Sequence, residues 1–149
     1  MRSVSLSWTG GSQAFHLASV KDWSAAADAI RPLLAPGMVL ALDGPLGAGK
    51  TTFSQILAAS LGVVRELQSP TFALMRSYLV PGAGAVKRII HVDAYRIEQL
   101  KEWTVLDLDE ELTDGRSVLL LEWPERVAAW VAARRGEGRV IDVKIAVVD

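Results

Sequence analysis

The chain contains no cysteine and no asparagine, only two histidines, almost no net charge and no long apolar run. Without cysteine, disulfide scaffolds, zinc fingers, iron–sulfur clusters and thiol nucleophiles are excluded. The histidines, His16 and His91, stand too far apart in sequence to suggest a histidine-rich metal site. Sixteen basic against seventeen acidic residues leave a formal charge of −1. That balance argues against a protein whose main task is gripping a phosphate backbone, which needs a basic face, but it allows a small basic pocket for one nucleotide. Polar residues interrupt every apolar run before 18 residues, and Met1-Arg2-Ser3-Val4-Ser5-Leu6 has no apolar h-region. Neither a membrane span nor a signal peptide is expected, and the expected location is cytoplasmic.

What remains is a chain of 149 residues that is 50% hydrophobic and 22% charged, the make-up of a globular domain. A chain of this size buries roughly 68–70% of its unfolded surface. One domain spanning 1–149 is expected, with no internal repeat or low-complexity tract. Ser3 to Trp8 alternates Val4, Leu6 and Trp8 with serines, which is strand periodicity. Thr9-Gly10-Gly11-Ser12 reads as a turn, and Ala14 to Leu17 as a short strand pairing back. Ser19 reads as an N-cap with Asp22 three residues on, opening a helix from Val20 to Leu34. Met38 to Leu42 is a continuous apolar run, as for a strand buried on both faces. A glycine-rich loop and a helix from Lys50 to Leu61, closed by Gly62, follow. Phe72 to Leu79 and Lys87 to Val92 read as a hairpin around Pro81-Gly82-Ala83-Gly84. Ile97 to Leu112 has a helical pattern with an acidic run, Asp107 to Glu111, read as a solvated face. Val118 to Leu121 is a second apolar strand, Arg126 to Arg135 a helix, and Val140 to Val148 a strand. Trp8, Trp23, Trp103 and Trp130 read as core or helix-packing residues. Interleaved strands and helices place the chain in the α/β class, a mostly parallel sheet with flanking helices and an antiparallel hairpin.

One motif narrows the chemistry. Gly44-Pro45-Leu46-Gly47-Ala48-Gly49-Lys50-Thr51 has the spacing of Gly, four residues, Gly, Lys, then Ser or Thr, with a strand before it and a helix after. Glycines let backbone N–H groups curl around phosphate oxygens, and the helix N-terminus adds partial positive charge and unpaired donors. Lys50 is placed to bridge β- and γ-phosphates, and the Thr51 hydroxyl to ligate Mg²⁺. A nucleoside triphosphate or its diphosphate is therefore the expected ligand. Two apolar strands end in an acid, at Asp93 and at Glu122, and either can hold Mg²⁺ or orient an attacking water. Trp123-Pro124 adds a rigid, bulky lip. Guanine specificity usually needs an Asn-Lys-x-Asp loop, which a chain without asparagine lacks. No arginine-rich lid of the small-molecule kinase kind is evident, although Arg96 is a candidate charge-stabilising finger. His91, on the inner strand, reads as a histidine hydrogen-bonded in place. The residues alone leave open an ATPase, a kinase transferring the γ-phosphate to a small hydroxyl acceptor, and a non-hydrolysing nucleotide-responsive module.

Four pieces in order, GPLGAGKTT (Gly44 to Thr52), SPTF (Ser69 to Phe72), HVDAYR (His91 to Arg96) and LEWP (Leu121 to Pro124), resemble the TsaE (YjeE) family of small P-loop ATPases. The resemblance runs from about Ser19 to the final strand and implies a P-loop NTPase-like fold. It implies ATP held by Gly44 to Thr52 (Gly44, Leu46, Gly47, Ala48, Gly49, Lys50, Thr51 and Thr52), with Thr51 and Glu122 holding Mg²⁺. It further implies Asp93 as an acid important for turnover and Ser69-Pro70-Thr71 as a switch-like loop in which Thr71 senses the γ-phosphate. Trp123 matches a tryptophan beside the nucleotide, and Ser19 starts the segment near the base. The implied activity is Mg-dependent ATP hydrolysis, slow alone, within tRNA N6-threonylcarbamoyladenosine modification at position 37. The implied partners are TsaD and TsaB homologues, with tRNA met only through that complex. Pro45 stands where the family commonly has an acid, which stiffens the loop. Glu102 to Glu111 lacks a glycine often found there, and residues 1–18 are an extension to which the resemblance assigns no role.

Overall fold

The computed structural model describes residues 2–65 and 75–147. Seven strands form one sheet, and the central four run parallel because each of their connections carries a helix or a further strand across a face. In chain order the elements are β1 (Arg2–Trp8), β2 (Gly11–Leu17), α1 (Val20–Ile30), β3 (Val39–Asp43), α2 (Lys50–Ser60), β4 (Met75–Leu79) and β5 (Arg88–Asp93). There follow α3 (Leu100–Val105), α4 (Leu108–Glu111), β6 (Ser117–Glu122), α5 (Ala128–Gly136) and β7 (Val140–Val147). The sheet order is β2-β1-β7-β3-β6-β5-β4. The hairpins β1–β2 and β4–β5 flank the parallel centre at either end.

Strand alternation sends side chains to two cores. Leu40, Leu42, Leu120, Ile141 and Val143 pack under α1 and α2 with Ala26, Ile30, Phe53 and Leu57. Val39, Ala41, Ile90, Val92, Leu119 and Leu121 face the other way, onto Trp103, Leu108, Leu112, Val127 and Val131. Every residue of β6 is buried, as its uninterrupted apolar run predicts for a strand covered on both faces. Residues 2–17 extend the sheet: Val4 and Leu6 are fully buried on the first core while Ser5 and Ser7 face outward.

Several expected boundaries move. The helix from Val20 stops at Ile30, and Arg31–Leu33 tighten into a 3-10 turn, because Pro32 cannot donate the next helical hydrogen bond. The second strand begins at Gly11 rather than Ala14, since Gly10 at φ +103° turns the chain within two residues. The single helix expected over Ile97–Leu112 is two short ones, broken where Asp107 adopts a left-handed backbone at φ 51°. Its acidic run is mostly exposed, as expected, with two of its acids tied to neighbours. Asp109 pairs with Arg134 and accepts a bond from the Trp130 indole, and Glu111 pairs with Arg88. The last helix starts at Ala128, after a 3-10 turn over Pro124–Val127. Residues 69–72, including the expected switch-like loop Ser69-Pro70-Thr71, lie outside the described residues.

Candidate functional site

Parallel strands open their carboxyl ends onto one edge of the sheet, and ligands in such sheets bind there. At that edge β3 runs into the glycine-rich loop, β6 ends at Glu122 and β5 at Asp93, the last two paired in register. Between them lies a cleft of about 370 Å³ lined by Leu46, Gly47, Gly49, Lys50, Thr51, Thr52, Asp93, Tyr95, Glu122 and Trp123, with Arg2 reaching in from β1. Gly44 and Ala48 are buried behind the loop and shape it. A larger apolar groove of about 640 Å³ lies beside β4, but it holds neither loop nor acid.

The loop has the geometry that its glycines foretell. Gly49, the N-cap of α2, sits at φ +107°, a conformation that costs a side-chain-bearing residue. A Cβ there would come within 2.6 Å of the Trp23 ring, and one at Gly44 within 2.7 Å of the Ile145 carbonyl oxygen. No side chain caps α2, so its first N–H groups face the cleft as an anion-binding end. Lys50 is only 5% exposed and curls over the loop. Its Nζ donates to the Gly44 carbonyl at 2.6 Å and the Pro45 carbonyl at 3.0 Å, and lies 4.0 Å from the centre of the Trp123 ring. Burial pulls its pKa below the ordinary lysine value, against the attraction of Glu122 and more distant acids.

The acids are treated differently. Glu122 is 2% exposed and spans two partners: the Thr51 hydroxyl donates to Oε1 at 3.1 Å, and His91 Nε2 lies 2.6 Å from Oε2. His91 is fully buried, and its Nδ1 has no partner among the described residues. Asp93 is half-buried and accepts the Tyr95 backbone N–H at 3.0 Å. Burial raises its pKa above the usual aspartate value and Glu122 adds repulsion, only partly offset by that hydrogen bond, His91 and Lys50.

Trp123 holds a left-handed backbone at φ 60°, rare for a bulky side chain, which sets its ring 4.8 Å from that of Tyr95. Arg126 lies 5.7 Å over the Tyr95 ring. Two lining residues, Tyr95 and Arg2, and one contact, His91–Glu122, were not singled out from sequence. Tyr95 was within reach as part of HVDAYR, whereas Arg2 and the His91–Glu122 contact depend on strand order. Two candidates do not join it. Ser19 heads α1, where Asp22 accepts its N–H at 2.9 Å, and Arg96 is exposed beyond β5; neither lines the cleft.

The oxygen donors fit a hard divalent cation. Thr51 Oγ1 and the Glu122 carboxylate are adjacent, and the described residues contain no cluster of three or more His, Cys, Asp or Glu that would bind metal by themselves. Magnesium is typically held this way, by one or two protein oxygens plus phosphates and waters.

The family model for "Threonylcarbamoyl adenosine biosynthesis protein TsaE" matches residues 17–147. The chain belongs to the TsaE family. Among relatives named tRNA threonylcarbamoyladenosine biosynthesis protein TsaE, that of Streptomyces coelicolor is 45% identical over 62% of this chain and 61% of its own. That of Bacillus subtilis is 43% identical over 59% and 51%, and that of Mycobacterium tuberculosis 35% identical over 89% and 80%. The chain thus spans about half to three-fifths of the length of the first two relatives. A crystal structure of Bacillus subtilis YdiB superposes with a TM-score of 0.53 at 26% identity, over 87% of this chain and 69% of that one. For a TsaE-family chain, the mixed sheet with a parallel centre is the P-loop NTPase-like fold that the motif predicts.

Proposed function

We propose that this protein binds ATP with Mg²⁺ in the cleft and hydrolyses it as a cytoplasmic component of tRNA N6-threonylcarbamoyladenosine modification, acting on a TsaB–TsaD type complex. The observation that carries the nucleotide reading is the convergence of an uncapped α2 N-terminus, Lys50, the Thr51–Glu122 pair and Asp93 on one cleft. The names of the relatives support the pathway, and a formal charge of −1 suits a component that meets protein surfaces rather than tRNA directly.

In this reading the loop N–H groups and Lys50 hold the phosphates, and Lys50 exchanges the Gly44 and Pro45 carbonyls for phosphate oxygens. Thr51 and Glu122 would hold Mg²⁺, which supplies charge neutralisation on the phosphate oxygens. Asp93 orients the attacking water; its raised pKa makes it a better proton acceptor than an ordinary aspartate. Attack on the γ-phosphorus breaks its bond to the β–γ bridging oxygen and yields ADP and phosphate. Trp123 and Tyr95 form an aromatic wall beside Lys50.

The test is Mg-ATP turnover by the purified chain, alone and with the TsaB–TsaD pair. Stimulation by the pair, with ADP and free phosphate as products, is expected. Unchanged slow turnover removes the partner assignment, and phosphate transferred to a small hydroxyl acceptor identifies a kinase instead.

A further inference from the structure

The geometry points to Arg2, on the N-terminal hairpin, as a direct ligand of the α- and β-phosphate oxygens of a bound nucleoside di- or triphosphate, an inference that rests on the nucleotide reading of the cleft. Arg2 precedes the residues that the family model matches, which begin at 17. Its place is nevertheless built into the sheet. Arg2 pairs with Leu17 of β2 and with Val147 of β7, and buried Val4 and Leu6 anchor the strand that carries it. Because β1 runs antiparallel to β7, and β7 parallel to β3, the start of β1 reaches the edge where β3 opens into the loop. There the guanidinium lines the cleft and donates from Nη2 to the Gly47 carbonyl at 3.3 Å, leaving the rest of its donor fork uncommitted to that carbonyl.

Charge balance calls for such a group. Among the described residues lining the cleft, Lys50 and Arg2 are the cations and Asp93 and Glu122 the acids. Without Arg2 the lining would set one cation against two acids, so a polyphosphate entering the cleft gains from a second positive group near the loop. The order β1-β7-β3-β6-β5 then says which phosphates it meets. Thr51, Glu122 and Asp93 lie towards β6 and β5, and Arg2 approaches from the other side of β3, across β7. The metal-binding, γ-phosphate end belongs to the acidic side. Arg2 therefore serves the part common to ADP and ATP.

The test is calorimetric titration of the full chain with ADP and with ATP, each with MgCl₂, for wild type, Arg2→Gln and Arg2→Lys at two salt concentrations. Arg2→Gln leaves the backbone pairing of β1 in place, and thermal unfolding of each variant checks this. The expected result is a loss of about threefold to tenfold for ADP and ATP alike in Arg2→Gln, with a shallower salt dependence. Arg2→Lys should fall in between, because it keeps the charge but not the fork. Affinities within twofold of wild type for both nucleotides would overturn the inference and leave Arg2 a brace for the Gly47 carbonyl. A loss confined to ATP would also overturn it, by placing the guanidinium at the γ-phosphate. Failure of the wild type to bind either nucleotide would remove the nucleotide reading itself, and this inference with it.

Discussion

The pairing of His91 with Glu122 can be tested by a thermodynamic cycle in which each side chain is replaced alone and together. Both are almost completely buried, at 0% and 2% exposure, and their contact at 2.6 Å is short enough to be charge-assisted. His91→Leu keeps roughly the volume but leaves the Glu122 carboxylate with the Thr51 hydroxyl at 3.1 Å as its described donor. Removing one partner of a buried pair costs about 3–5 kcal/mol, because the remaining charge is uncompensated. We take about 3 kcal/mol here, since Glu122 lies at the edge of a cleft that water can enter. For a chain of this length that corresponds to a fall in Tm of about 6–12 °C. Glu122→Gln removes the charge but can still accept from Nε2–H, so it should cost about 1 kcal/mol. In the double variant His91→Leu/Glu122→Gln the unpaired group is a neutral amide, and the total cost should be about 2 kcal/mol rather than the 4 of simple addition. The assay is urea unfolding followed by both tryptophan fluorescence and circular dichroism, whose coincidence checks two-state behaviour. Additivity within about 0.5 kcal/mol, or a His91→Leu cost below about 1, would refute the buried pairing.

Three further outcomes follow from the cleft. The raised pKa of Asp93 means that its contribution to stability is fully present below the usual aspartate value and is lost as pH rises through the raised one. Asp93→Asn should therefore stabilise the free protein near pH 7, while turnover drops; a variant less stable than wild type at that pH contradicts the assignment. Gly49→Ala forces a side chain into φ +107° and a Cβ to 2.6 Å from Trp23. It should cost about 2–3 kcal/mol in urea unfolding and at least about tenfold in ADP affinity. Lys50→Ala should lower ATP affinity by more than about tenfold, as loss of a charge-assisted phosphate contact requires, whereas affinity retained within threefold by calorimetry would contradict the phosphate-binding role of the loop.

The features legible in the sequence are those encoded over short stretches. The loop needs only its glycines, lysine and threonine between a strand and a helix, and the structure bends it as those residues require. The two buried parallel strands announce themselves as runs without a polar break, Met38–Leu42 and Val118–Leu121. Pro32 and Gly10 moved two boundaries locally, and elsewhere a distant partner decided. The apolar spacing of Leu100, Trp103, Leu108 and Leu112 looks continuous, yet the helix breaks at Asp107. Trp103 packs edge-on to Trp130, with ring centres 5.0 Å apart, and Asp109 bonds to that same indole. His91 was visible on an inner strand and Glu122 at a strand end, but their contact spans 31 positions and exists only because β5 lies beside β6. Arg2 carries no local signal, and only the strand order brings it to the loop.

The backbone of Trp123 connects the strain of the site with its chemistry. A tryptophan at φ 60° costs on the order of 1–3 kcal/mol and persists only where its surroundings over-determine it. Here they do: Glu122 on one side is fixed in the buried strand β6, and Pro124 on the other starts the 3-10 turn. The return is a ring held against Tyr95 and beneath Lys50 Nζ. That ring and the Gly44 and Pro45 carbonyls keep a desolvated ammonium satisfied, and a phosphate must displace these contacts to engage it. A single phosphate offers Lys50 little that the carbonyls do not. In the proposed reading a polyphosphate would also engage the α2 N-terminus and the Thr51–Glu122 side of the cleft, and so would gain what a lone phosphate cannot. On the proposed reading the internal partners of Lys50 would thus favour ligands that span the whole loop over free phosphate, a selection that the loop glycines alone would not provide.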